Sequence, residues 1–98
     1  MIIKTSQILK NLKGEELKDG EEPFTLGIAL GNILASSQEG GKMKMFLLAT
    51  KLAQNKSVEV DSADLGVIKK AVESTKIYSA LVAGQVEMLL DEIKEVKK

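Results

Sequence analysis

Two glycines four residues apart, Gly27 and Gly31, sit inside a segment that otherwise has every mark of a buried helix. Leu26, Ala29, Leu30, Ile33 and Leu34 recur at spacings of three and four, which lines one helical face with apolar side chains. Thr25 offers the side-chain oxygen that a helix start needs, so the spacing predicts a helix over residues 26–37. Each glycine costs such a helix about 0.5–1 kcal/mol relative to alanine. The helix is too short to cross a bilayer, so a membrane dimerisation motif is set aside. What two missing side chains on the face beside the stripe allow is close approach of another backbone. The fold is therefore expected to press a second element tightly against this helix.

The rest of the chain supplies candidates. Only Phe24, Phe46 and Tyr78 are aromatic, so a core drawn from the 44% hydrophobic residues must be aliphatic. An aliphatic core rich in alanine and glycine suits closely packed helices. A second helix is predicted over 42–54, with Met45, Leu48, Ala49 and Leu52 on its buried face, flanked by Phe46 and Ala53, and Lys44, Thr50 and Lys51 towards solvent. Gln38, Glu39, Gly40 and Gly41 separate the two. A third begins at Asp61 or Ser62, places Asp64 in its first turn where the helix dipole favours negative charge, and buries Leu65, Ile68 and Val72. Glu73, Ser74, Thr75 and Lys76 break it. A last helix runs from near Ser79 to about Val96 with the stripe Val82, Val86, Leu89 and Ile93, joined by Leu81 and Leu90, and with Lys94, Lys97 and Lys98 at the end that favours cations. As the longest apolar repeat, it is expected to cross the domain and be the main support of the fold.

Two short regions read as β structure. In residues 1–18, Ile8, Leu9 and Leu12 fit a helical turn, but Gly14 between Leu12 and Leu17 suits a hairpin turn that needs positive φ. The hairpin is the favoured of these two. Residues 18–23, Lys-Asp-Gly-Glu-Glu-Pro, read as a loop. Ser57, Val58, Glu59 and Val60 alternate as one short strand or an extended connector does. The expected fold is one domain over 1–98, mostly α (α+β): four helices, an N-terminal β-hairpin and one short strand or connector. A chain of this length holds one modest core.

Charge and chemistry exclude more than they identify. Fourteen acidic residues balance fourteen basic ones, and every basic residue is lysine. A nucleic-acid groove normally carries a basic excess, and arginine's planar fork for phosphate or guanine is missing. No nucleic acid and no membrane are expected as partners. Without histidine or cysteine the usual general base, the strongest nucleophile and ordinary transition-metal sites are lost, so no enzyme activity, metal or cofactor is expected. Glu15, Glu16, Asp19, Glu21 and Glu22 cluster, yet lack the repeated spacing of a calcium loop and read as solvated turns. Asp61, Ser62, Ala63 and Asp64 read as a helix start, not an acid–base pair. Met1, Ile2, Ile3 and Lys4 do not resemble a signal peptide, and no apolar run reaches membrane-spanning length. A cytoplasmic location is expected.

Contact is the remaining mode of action. Met43, Met45 and Met88 are adaptable side chains suited to a partner surface, although methionine more often fills core gaps. Tyr78 has the area and polar tip of a binding hot spot, although packing at a helix junction with its hydroxyl bonded to backbone is the favoured reading. Val58, Glu59 and Val60, then Leu65, Ile68, Lys69 and Lys70, then Tyr78, Leu81, Val82, Gly84, Gln85, Leu89 and Leu90, follow in an order that resembles a family of small phage and prophage proteins. Upstream, Leu12 to Leu17 and Thr25–Leu26 correspond to that family's apolar–Gly segment and Thr-Leu helix start, while Ser79 and Ala80 stand where its pattern has a nearby Pro or Gly. The resemblance implies a viral or prophage origin, and Gln85 joins the candidate contacts. The expected function is that of a non-enzymatic accessory or assembly protein with a protein partner, phage or host, and a second copy of the chain among the candidates. A small inhibitor of a host defence or regulatory protein is the alternative. A DNA-binding regulator ranks lower, because residues 57–60 are wrong for the short turn of a helix-turn-helix.

Overall fold

The structure is a computed structural model that describes residues 2–37 and 41–96, with side chains given for these except Asp19 and 93–96. The predicted break at 38–40, the Ile93 side chain and the terminal lysines lie outside the described residues. In chain order the elements are β1 (Ile2–Ile3), β2 (Lys18–Asp19), β3 (Glu22–Pro23), α1 (Leu26–Ser36), α2 (Lys42–Gln54), β4 (Val58–Glu59), α3 (Ser62–Ser74) and α4 (Ala80–Val96). The fold is mostly α with some β, as the sequence pattern implied.

The first 25 residues form two successive turns around a shared point. Lys10 bridges Glu16 across the first turn, with Gly14 at a φ of 87°. Asn11 holds that turn, its Oδ1 accepting from the backbone N–H groups of Lys13 and Glu15. The stretch expected to be a loop at 18–23 is instead a second hairpin, β2 against β3, turning at Gly20 with a φ of 71°. The reason lies in the backbone ring that closes over it. Leu17 N–H donates to the Leu9 carbonyl, Phe24 N–H to that of Leu17, and Leu9 N–H to that of Phe24. Three segments thus satisfy one another, and Leu9 and Phe24 are buried beneath them.

This knot positions α1. Thr25 caps it, its Oγ1 accepting from Ile28 N–H. The Gln7 and Thr5 carbonyls accept from Leu26 and Gly27, so three amides that a helix start leaves orphaned have partners. The stripe Leu26, Ala29, Leu30, Ile33 and Leu34 is fully covered. On the adjoining face α2 approaches closely. A Cβ added at Gly27 would overlap the Leu52 carbonyl oxygen and come within 2.8 Å of Thr5 Cβ; at Gly31 it would meet the Ala49 carbonyl at 3.1 Å. The two glycines are the sites where α2's backbone comes nearest.

α1 is the central helix, packed on by α2, α3 and α4. The expectation that α4 would be the main support is corrected. It buries Val86, Leu89 and Leu90, with Val82 half-covered, whereas the tightest packing is that of α2 on α1. The alternating segment at 57–60 contains a true strand, β4, whose antiparallel partner is β1 in the register Ile2 to Glu59 and Ile3 to Val58. α3 is capped by Asp61, which accepts from Asp64 N–H at 2.7 Å, and buries Leu65, Ile68, Ala71 and Val72.

Candidate interaction surface

Helix α2 has two apolar faces. Met45, Leu48, Ala49 and Leu52 are buried and belong to the core. Met43, Phe46 and Leu47, at the complementary three-and-four spacing, point outward and are 75%, 64% and 55% exposed. The sequence pattern places Phe46 at the flank of the buried face, whereas in the structure it belongs to the exposed one. α1 is narrow where α2 crosses it, because glycine and alanine line the contact, so it covers only one side of α2. The missed signal was that α2 carries more apolar residues than one stripe can bury.

Beside this face, a cleft of about 420 Å³ opens between the end of α1 and the start of α2. Leu34 and Met45 form its base, and Ala35, Phe46 and Lys42 its walls. Along α2 itself the charge is one-sided, since the helix holds Lys42, Lys44 and Lys51 and no carboxylate. Lys44 pairs with Asp64 at 3.0 Å, and that hydrogen bond and charge raise its pKa above the ordinary lysine value. Lys42 and Lys51 are exposed and enter neither of the ion pairs found among the described residues. An apolar patch bounded by two such ammonium groups can receive an apolar side chain flanked by carboxylates.

The residues singled out from sequence divide sharply. Met43 lies on the exposed face. Met45 is corrected: it is 3% exposed and fills the core beneath the cleft, so it offers no contact surface while the fold is intact. Tyr78 is half-buried at a junction, its ring 5.7 Å from that of Phe24 and its hydroxyl accepting from Asn32 Nδ2 at 2.8 Å. The hydroxyl's partner is thus a side chain on α1 and not backbone. Gln85 is engaged inside the molecule. Lys10 N–H donates to its Oε1 at 2.9 Å and its Nε2 donates to the Lys10 carbonyl at 2.8 Å, so the amide acts as one more strand edge against the first hairpin. The structure does not bring Met43, Tyr78 and Gln85 into one site.

Other arrangements are less suited to a site. Glu15, Glu16, Glu21 and Glu22 are exposed, and among the described residues no group of three acidic side chains is placed to hold a metal ion. α2 and α3 are separated by β4, which is paired, so they do not form a helix-turn-helix. Among the described residues no helix is long and apolar enough to cross a membrane. No family model matches the chain, and neither a curated protein nor a solved structure is similar to it.

Proposed function

We propose that this chain is a non-enzymatic accessory or assembly protein that works by protein contact, with the outer face of α2 as its contact surface. The observation that carries the reading is the exposure of Met43, Phe46 and Leu47 together on one helix. Burying a side chain of this size is worth about 1.5–3 kcal/mol, and small domains rarely leave an aromatic and two long aliphatic side chains adjacent and uncovered without a use for them. The neighbouring cleft and the exposed Lys42 and Lys51, which are outside the ion pairs found among the described residues, add shape and charge to that patch. A viral setting for that role is part of the proposal, and it rests on the order of Val58, Ile68, Tyr78, Gln85 and Leu89 in the sequence, which resembles that of small phage and prophage proteins.

The test compares crosslinked complexes formed by the wild type, by Phe46→Glu and by Leu12→Ser in host extract. Leu12 is 94% exposed at a turn tip remote in sequence from α2, so it controls for general stickiness. Complexes lost in Phe46→Glu and kept in Leu12→Ser are expected. Equal capture by all three proteins would remove α2 as the contact surface.

A further inference from the structure

The charge and shape of the α2 face have a counterpart on the same molecule. Along α4, Ala80, Gly84, Met88 and Glu92 follow one another at intervals of four, so they form a single row, and all four are exposed. The row is low at its start: nothing lies within 4 Å of a Cβ built on Gly84. Met88 stands 55% exposed, between the exposed carboxylates of Glu87, Asp91 and Glu92. From Ala80 to Glu92 the helix has no basic residue. Lys69 of α3 pairs with Asp91 at 3.0 Å, and Glu87 and Glu92 enter neither ion pair. α2 therefore offers bulky apolar side chains between lysines, and α4 the small and apolar Ala80, Gly84 and Met88 beside the carboxylates of Glu87, Asp91 and Glu92.

We infer that a second copy of this chain occupies the α2 face, presenting its α4. Phe46 and Leu47 of one copy cover Gly84 and Met88 of the other, where the missing Cβ allows close helix approach. Lys42 and Lys51 then face Glu87 and Glu92. This proposal rests on the reading of α2 as the contact surface and names its occupant. Two different patches meet head to tail, so the contact is heterologous: one copy keeps a free α4 and the other a free α2, and association continues into a ring or an open chain. Charged rims of this kind are weakened by salt, because the screening length is about 10 Å at 0.1 M ionic strength.

Sedimentation velocity over a concentration series tests it with two variants, Phe46→Glu on α2 and the double substitution Glu87→Lys with Glu92→Lys on α4. All three positions are exposed, and circular dichroism melting checks that both variants keep the wild-type fold. The wild type is expected to form species larger than a dimer as concentration rises, and to lose them as salt rises. Each variant alone is expected to stay monomeric. An equimolar mixture of the two is expected to stop at a dimer, since the intact α4 of the first meets the intact α2 of the second. A wild type monomeric at every concentration, a variant that assembles like the wild type, or a mixture that stays monomeric would each overturn the inference. If the wild type is monomeric while Phe46-dependent capture from host extract persists, the second copy is wrong and the contact reading stands. If capture is also independent of Phe46, both fail.

Discussion

At the scale of single residues, the tightest demands fall where the N-terminal segment is wedged between two helix ends. Thr5 is 2% exposed, gives its carbonyl to Gly27 N–H at the start of α1, and donates its hydroxyl to the Asn55 carbonyl at the end of α2. Thr5→Val keeps the shape and strands that carbonyl, so a loss of about 1–3 kcal/mol is expected in urea denaturation. Gly27→Ala drives a methyl into the Leu52 carbonyl and should cost about 1–3 kcal/mol or more from overpacking. Gly66→Ala, in the middle of α3 with open space around it, should instead stabilise by about 0.4–1 kcal/mol. Opposite signs for the same substitution separate close approach from helix propensity. Lys44 sets a pH dependence of known sign. Its pKa is raised in the fold by the hydrogen bond and charge of Asp64, so its contribution is whole below the ordinary lysine pKa and is lost as alkaline pH rises through the folded value. The group is exposed, so the slope should be shallow, and alkaline titration of Asp64→Asn should lack it.

Among the elements, the helices were legible and the pairings were not. Thr25 and Asp61 marked two helix starts and α2 fell on its predicted bounds, because caps and three-and-four periodicity are local signals. β1 and β4 have two residues each, too few to show a period, and their partnership across more than fifty residues leaves no mark in either segment. The exposed face of α2 was hidden for a related reason. Periodicity finds apolar residues but does not say which stripe a neighbour covers, and here the Gly27–Gly31 contact decides that Met45 goes in and Phe46 stays out. Leu30→Ala on α1 and Leu90→Ala on α4, both fully buried, should each cost about 2–5 kcal/mol, while Met88→Ala should leave the denaturation midpoint nearly unchanged. α4 is also tied to the first hairpin by the Gln85 amide. Gln85→Ala removes both hydrogen bonds to Lys10 and should cost about 1–3 kcal/mol, with faster amide exchange at Lys10 as the local sign.

At the scale of the whole molecule, the question is whether the helices and the N-terminal turns unfold as one body. The radius of gyration is 12.5 Å, against about 13 Å for a single compact domain of 100 residues. The long-range ties run through every part: β1 to β4, Thr5 to both ends of the α1–α2 pair, Lys10 to Gln85, and Asn32 to Tyr78. A body held this way should lose all its structure in one transition. Tyr78 provides the means to see it, since the chain has no tryptophan and this is its one tyrosine. Its ring touches Phe24 at the end of the turns, its hydroxyl is bonded to α1, and it lies just before α4. Its fluorescence therefore reports the junction, while far-ultraviolet circular dichroism reports the helices. In urea the two curves are expected to share one midpoint and one slope. Ile3→Ala, at a fully buried position of β1, should move both curves together by about 2–5 kcal/mol, a large share of the roughly 5–15 kcal/mol that holds a domain of this size. If fluorescence changed at lower urea than circular dichroism, the junction would be opening while α1 and α2 stayed packed. The molecule would then be a two-helix core with a separable α4, and cooperativity would not extend beyond the Gly27–Gly31 contact.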